Sequence, residues 1–355
     1  MITAGTIIQA LLDSCLMAAL LSFLAGNTTF LKKYGTMIPS MLTLCCMVRM
    51  IFPLALPGPN AGSGPLRPPA AGSKIITDPV LLKLILILWA AGALIYLISY
   101  SLFYQVTLSR IHENAIYAEE DVAKLLKDLD PDCPMGIYVS PDIHVPISTG
   151  IFHSNIYLAD YRYSPEEVYY VILHEYIHWK RKDMTRKFLC YLAGALVWWN
   201  PIATLVRRKY IRLLELSCDR DVAARLQDEE ILDYLQALYH TQILVHSQAK
   251  TSCHSCLLPI RSAVMGFTNS GRPNRSVLVQ RFQLLLDRNQ TKPKDLSNDL
   301  PTAERIGRIL VPASMILIIL VWMALSYKVI PSTSSFSIVA SMVFVTFLCF
   351  ISRIA

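Results

Sequence analysis

Residues 164–183 read Ser164-Pro165-Glu166-Glu167-Val168-Tyr169-Tyr170-Val171-Ile172-Leu173-His174-Glu175-Tyr176-Ile177-His178-Trp179-Lys180-Arg181-Lys182-Asp183. Ser164 followed three positions on by Glu167 is a capping box, and Pro165 takes the first helical position, so a helix starts here. Val168, Ile172 and the histidine pair then follow at helical spacing. His174 and His178 stand at i and i+4 on one helix face, where both imidazoles can reach one ion. Glu175 between them can hold and deprotonate a metal-bound water. A catalytic zinc takes three protein ligands and leaves a fourth place for that water. Glu215, in a stretch that reads as a second helix, is available as the third ligand, which makes the arrangement gluzincin-type. Asp219 lies one turn past Glu215, and Asp183 just past the first helix. Either aspartate could accept a hydrogen bond from a ligand imidazole and orient it.

Taken together, His174-Glu175-x-x-His178-x-x-Arg181-x-Asp183, Trp199-Asn200-Pro201 and Glu215-x-x-Cys218-Asp219 resemble the BlaR/MecR family of membrane-embedded zinc metallopeptidases. Ile143-x-x-Pro146-x-x-x-Gly150 and Ile156-Tyr157-Leu158 upstream, and Arg281 downstream, are similar to further positions of that family. The family includes bacterial β-lactam sensor-transducers that trigger loss of a transcriptional repressor. The resemblance implies a bacterial plasma-membrane protein performing signal-dependent proteolysis, with a small DNA-binding repressor or the protease itself as the cleaved chain. Its best-known members carry a large extracellular penicillin-binding sensor after the fourth membrane helix. Here the last two apolar spans are joined only by Tyr327 to Ser335, so no such sensor is expected in this sequence.

Composition agrees with a membrane protein: 54% of the 355 residues are hydrophobic and the mean hydropathy is +0.41. The net charge of +7 fits attraction to anionic lipid, and no nucleic-acid-binding motif accompanies it. Cys15, Cys45, Cys46 and Cys349 fall in apolar spans, where cysteine packs as a small hydrophobe. Cys253-His254-Ser255-Cys256 has two-ligand spacing, but no second cysteine pair completes a structural zinc site. No disulfide framework is implied, which suits a reducing compartment.

In chain order, apolar spans run from Thr6 to Gly26, Met37 to Leu56 and Val80 to Tyr104, then from Ile309 to Ser326 and Phe336 to Ile351. The expected fold class is an α-helical multi-pass membrane protein with an inserted α+β zinc metallopeptidase domain. Residues 1–104 would form three membrane helices, 105–307 the metallopeptidase domain, and 308–355 two more membrane helices. Lys32, Lys33, Arg110, Arg305, Arg308 and Arg353 flank ends that share one side of five crossings, which the positive-inside rule places in the cytoplasm. The N-terminus is then outside and the metallopeptidase domain cytoplasmic. Asp13 and Arg49 lie at matched depth in the first two spans and could neutralise each other.

Phe188 to Val206 is long and apolar enough to cross a membrane, yet it separates His178 from Glu215, which must meet at one ion. It should therefore enter and return, lie along the surface, or pack on the other membrane helices, with the break at Asn200-Pro201. Asp121 to Leu129, Ile231 to Leu244 and Val277 to Arg288 read as helices. Gly136 to Ser140, Ile143 to Ile147 and Asn155 to Leu158 alternate like strands. Such a strand edge could hold an extended substrate or simply pack. His144 and His153, near it, read as loop or edge histidines because the ligand set is full. Tyr239 and His240 are candidate partners for the oxyanion formed in hydrolysis.

The expectation is a membrane zinc endopeptidase in which His174, His178 and Glu215 hold Zn2+ and Glu175 is the general base. Its partners would be the bilayer and a protein substrate, with a homodimer open. Two other readings stay open: a housekeeping membrane gluzincin of the CAAX-processing or quality-control kind, and a receptor or scaffold in which zinc only holds the fold.

Overall fold

The computed structural model of the chain describes residues 4–51, 79–143, 145–150, 154–160, 163–251 and 275–290. The expected spans Ile309 to Ser326 and Phe336 to Ile351, His144, His153 and the Cys253–Cys256 pair lie outside these residues. The side chain of Asp13 does as well, while its expected partner Arg49 is buried at 1% exposure. The described chain divides into two compact units, one within Met1–Leu97 and Tyr191–Leu213, the other within Ile98–Cys190 and Leu214–Asp295.

The first unit opens with α1 (Ala4–Gly26), α2 (Thr28–Tyr34) and α3 (Met37–Ile51). Asn27 breaks the chain between α1 and α2: its side chain accepts a hydrogen bond from the Phe30 N–H at 3.1 Å and restarts the helix at 83° to the first. Gly35, with φ 69°, ends α2 in a backbone region that favours glycine. α1 and α3 then pack on each other, with Leu20, Leu21, Leu24, Leu42 and Cys46 buried and the Cys46 thiol 3.8 Å from the Ser14 carbonyl.

A long helix, α4 (Pro79–Glu113), follows. Its stretch Lys83–Glu113 is long and apolar enough to cross a membrane, and Leu84, Ile87, Leu88, Leu94 and Ile95 stand exposed on it. The helix continues past Tyr104, where the sequence suggests that the membrane span ends, because no Gly or Pro interrupts Gln105 to Glu113. Among the described residues α4 is the one helix that passes this test, or one of two if α1 and α2 form a single broken span. The sequence leads one to expect three in this region, but α3 has 15 described residues where a crossing needs about 20.

Phe188 to Val206 is not one rod. α7 (Asp183–Leu196) stops, and α8 (Pro201–Ala223) starts after a turn whose Asn200 Oδ1 accepts the Ile202 N–H at 3.0 Å. Asn200-Pro201 is therefore an N-cap followed by a first-turn proline. Two tryptophans tie the turn to α4: Trp89 Nε1 donates to the Leu196 carbonyl at 2.8 Å, and Trp198 Nε1 to the Trp89 carbonyl at 3.2 Å. The Trp198 ring lies so close to Gly92 that a Cβ there would collide with it.

The second unit is built on a four-stranded sheet of order β1-β2-β4-β3, with β1 Ile116–Tyr117, β2 Ile137–Ser140, β3 Ile147–Thr149 and β4 Asn155–Ala159. β2 and β4 run parallel, and the outer strands pair antiparallel to them. The expected strand Ile143 to Ile147 is instead displaced, and pairing starts only at Ile147, opposite Tyr157. Alternation along β4 separates two cores. Ile156 and Leu158 join α5 (Glu120–Leu129), α6 (Pro165–Lys180), α8 and α9 (Asp228–Thr251). Tyr157 and Ala159 face Ile111 of α4, with Ile143 and Ile147. The last described helix, α10 (Arg275–Gln290), packs on α9 and adds Leu285 to the first core.

Candidate metal centre

α6 begins as its sequence dictates. The Ser164 side chain accepts from the Glu167 N–H at 3.2 Å, and Glu167 Oε2 accepts from the Ser164 N–H at 3.0 Å. Two turns on, His174, Glu175 and His178 are buried. α8 runs alongside and delivers Glu215, Cys218 and Asp219. His174 Nε2 and His178 Nε2 lie 3.1 Å apart, and Glu215 Oε2 lies 3.7 and 3.5 Å from them. Ligands at 2.0–2.1 Å from a tetrahedral ion stand about 3.3 Å from one another, so this triangle fits a zinc-sized cation.

The far nitrogen of each imidazole is engaged elsewhere, which leaves the Nε2 lone pairs for the triangle. His178 Nδ1 donates directly to Asp183 Oδ2 at 2.9 Å. Asp183 reaches back because Lys182 turns the chain in the left-handed region, with φ 56°. Fully buried, Asp183 also meets Arg181 and Arg186. Arg181 in turn donates to Ser217 Oγ and Asp221 on α8, tying the end of α6 to the helix that carries Glu215.

His174 is held differently from the sequence expectation. Asp219 Oδ1 is 3.6 Å from its Nδ1, too far for a hydrogen bond, and the Tyr234 hydroxyl of α9 fills the gap. Tyr234 Oη is 2.8 Å from His174 Nδ1 and donates to Asp219 Oδ1 at 2.7 Å. Burial, then the Asp219 charge, holds the phenol protonated by pushing its pKa well above the ordinary value. With its one proton on Asp219, Tyr234 accepts the His174 N–H.

Two further residues complete the centre, Lys187 outside any motif and Cys218 within the Glu215-x-x-Cys218-Asp219 motif. Lys187 of α7, 6% exposed, places Nζ 3.2 Å from Glu215 Oε1, the oxygen other than the one facing the histidines. Burial would raise the Glu215 pKa, but Lys187 and then His178 outweigh it and hold the carboxyl well below the carboxylate range. Cys218 Sγ, fully buried, lies 3.5 Å from the His174 carbonyl and 3.8 Å from His174 Nδ1. By position His174, His178 and Cys218 could also hold a metal. Yet Nδ1 of His174 is already engaged with Tyr234, and the Nε2 pair faces Glu215, which keeps 17% of its side chain open. A catalytic ion needs such an opening, so Glu215 fits the third position better than Cys218.

With these positions in view, comparison with known proteins is specific. The family model described as BlaR1 peptidase M56 matches residues 66–261, more than half of the chain and all of α6 to α8. The chain belongs to the BlaR1 peptidase M56 family. It is 33% identical over 97 residues to the Regulatory protein BlaR1 of Bacillus licheniformis, covering 27% of this chain and 16% of that protein. It is 29% identical over 87 residues to the Regulatory protein BlaR1 of Staphylococcus aureus, covering 22% of this chain and 15% of that protein. The chain therefore matches only a small part of the length of these M56 relatives. Membership makes it a peptidase by family.

The oxyanion candidates of the sequence fall away from this M56 centre. His240 Nδ1 pairs with Glu167 Oε1 at 2.8 Å, at the start of α6. That is seven residues, or about 10 Å of helix, from His174. Tyr239 is exposed and meets Phe282.

Proposed function

We propose that the protein is a membrane zinc endopeptidase of the M56 family, in which His174, His178 and Glu215 hold Zn2+. The observation that carries this reading is the triangle of His174 Nε2, His178 Nε2 and Glu215 Oε2, with Glu175 buried in the same helix turn. When bound, zinc supplies a Lewis acid for the scissile carbonyl and brings the pKa of water down toward about 7. Glu175 accepts the proton of the attacking water as its oxygen bonds to the carbonyl carbon. It then passes that proton to the amide nitrogen as the C–N bond breaks, releasing an acid and an amine. Asp183 and the Tyr234–Asp219 pair hold the two imidazoles with Nε2 forward, and Lys187 keeps Glu215 ionised.

The biological reading follows the relatives. Both are regulatory proteins, which supports signal-dependent proteolysis that relieves transcriptional repression, through cleavage of a DNA-binding repressor or of the protease itself. α4 anchors the chain in the bilayer as part of a multi-pass assembly, and the lysines and arginines at the span ends favour a cytoplasmic centre. The test is paired: metal content, and cleavage products in cells carrying wild type or Glu175→Gln. One zinc per chain in both proteins, with fragments of one regulator lost in the variant, is the expected outcome. Equal fragments from both would remove the catalytic reading and leave a zinc-stabilised scaffold.

A further inference from the structure

α10 reaches the centre through Arg281. Arg281 is buried and grips Asp219 with a two-pronged contact, Nε to Oδ2 and Nη2 to Oδ1, each 2.6 Å. Asp219 thus takes three donors, two from Arg281 and one from Tyr234, and it spends none of its contacts directly on His174. The chain of donors has one direction: Arg281 and Tyr234 donate to Asp219, and His174 donates to Tyr234. Every link is needed to keep the His174 proton on Nδ1 and its lone pair on Nε2. The other imidazole has no such relay, since His178 rests directly on Asp183.

Removal of Arg281 would leave Asp219 a buried carboxylate without its cation and without two of its three donors, an arrangement that proteins avoid by rearrangement. A displaced Asp219 no longer holds the Tyr234 proton in place, and Tyr234 is then free to turn its hydroxyl toward His174. That competes for the tautomer on which the Nε2 lone pair depends. Leu285 in the core and Phe282 against it also hold α10, and the Arg281 guanidinium links the helix to the centre. Resting on the metal-site reading above, we propose that Arg281 is a positioning residue for His174, and that docking of α10 through it sets the affinity of the centre for metal. α10 thereby has a direct hold on the setting of one ligand.

The experiment uses the full chain in detergent with the metals themselves as probes. Zn2+ affinity is measured by competition with a chromophoric chelator, and the ligand field by the absorption spectrum of the Co2+-substituted protein. Arg281→Met and Tyr234→Phe should each weaken Zn2+ binding by about 10–100-fold, the usual effect of losing a partner behind a ligand histidine. Both should shift the Co2+ spectrum in the same way, and the double variant should be no weaker than the worse single one, because both cut one relay. Arg281→Lys keeps the charge but loses the fork, and should recover part of the affinity. Leu285→Ala loosens α10 packing without touching Asp219 and should leave the Co2+ spectrum unchanged. The proposal is overturned if Arg281→Met keeps wild-type affinity and spectrum, or if the double variant adds the two losses. Should Arg281→Met fail to fold, Arg281→Lys and Tyr234→Phe decide the same point. Failure of the underlying site is separately visible: wild type would bind no Zn2+, or Glu215→Gln would bind it as wild type does.

Discussion

Lys187 Nζ lies 3.2 Å from Glu215 Oε1, so a buried lysine holds one oxygen of the carboxylate whose other oxygen faces the histidine pair. The contact fixes which oxygen is presented and holds the carboxyl well below its ordinary range.

Lys187→Met should therefore destabilise the metal-free protein by about 3–5 kcal/mol, the cost of leaving one partner of a buried pair alone. A carboxyl with a depressed folded pKa contributes stability above its unfolded value of about 4.3, and loses it as pH falls through the folded value. Without Lys187 the folded value rises, so the loss begins at higher pH. Thermal melts of metal-free wild type and variant across the acid range measure this. Parallel pH profiles would show that Lys187 does not govern the Glu215 charge.

The choice between Glu215 and Cys218 yields a second prediction. Cys218 is fully buried against the His174 carbonyl, while Glu215 faces both Nε2 atoms. Cys218→Ser should keep Zn2+ affinity within a few-fold, and Glu215→Gln should lose at least about 100-fold, more than the loss of an outer partner. The Co2+ protein should show no sulfur-to-cobalt charge-transfer band in the near ultraviolet. A strong band that vanishes in Cys218→Ser would make the cysteine the ligand.

The sequence reveals α6, its cap and its histidine pair because each is a local pattern: a capping box, a first-turn proline and an i, i+4 repeat. Glu215 and Asp183 are legible because they follow at motif spacing on neighbouring helices. Asp219 is legible as a member of the centre but not in its contact, since helical spacing sets its face and not the width of the gap Tyr234 fills. Lys187 and Tyr234 as neighbours of the histidines come from tertiary packing, which no spacing encodes, and the motif that holds Cys218 does not show that its thiol meets His174. The same limit explains the strand displaced from Ile143 to Ile147, because a sheet partner decided it.

A third prediction concerns protons. Both Nδ1 atoms donate outward, so at 3.1 Å the two Nε2 atoms need one shared proton to avoid opposing lone pairs. Burial opposes a charged ring at either histidine, but Cys218 and Glu215 outweigh it, carrying His174 up to about 10 and His178 in the same direction for the proton the two rings share. In the metal-free protein that proton stabilises the fold fully below the unfolded value of about 6.5, and the gain is lost as pH rises through the folded value. Metal must displace it, so Zn2+ affinity should rise about tenfold per pH unit across this window. Calorimetry near neutral pH in buffers of different ionisation enthalpy should report one proton released per metal bound. A value of zero or two would refute the shared proton.

Asp183 offers the last test, because it is the direct counterpart of the relay behind His174. Its Oδ2 accepts from His178 Nδ1 at 2.9 Å, and the same carboxylate meets Arg181 and Arg186. Asp183→Asn preserves shape and an acceptor but removes the charge that makes the imidazole a stronger donor to a cation. Zn2+ affinity should fall about 10–100-fold with little change in helix content. Arg186→Ala removes a pair whose arginine is half exposed, 49% at its side chain, and should cost at most about 1 kcal/mol of stability and no metal affinity. If Arg186→Ala weakened Zn2+ as much as Asp183→Asn, the aspartate would act through the arginine cluster rather than through His178, and the orientation argument for this imidazole would fall.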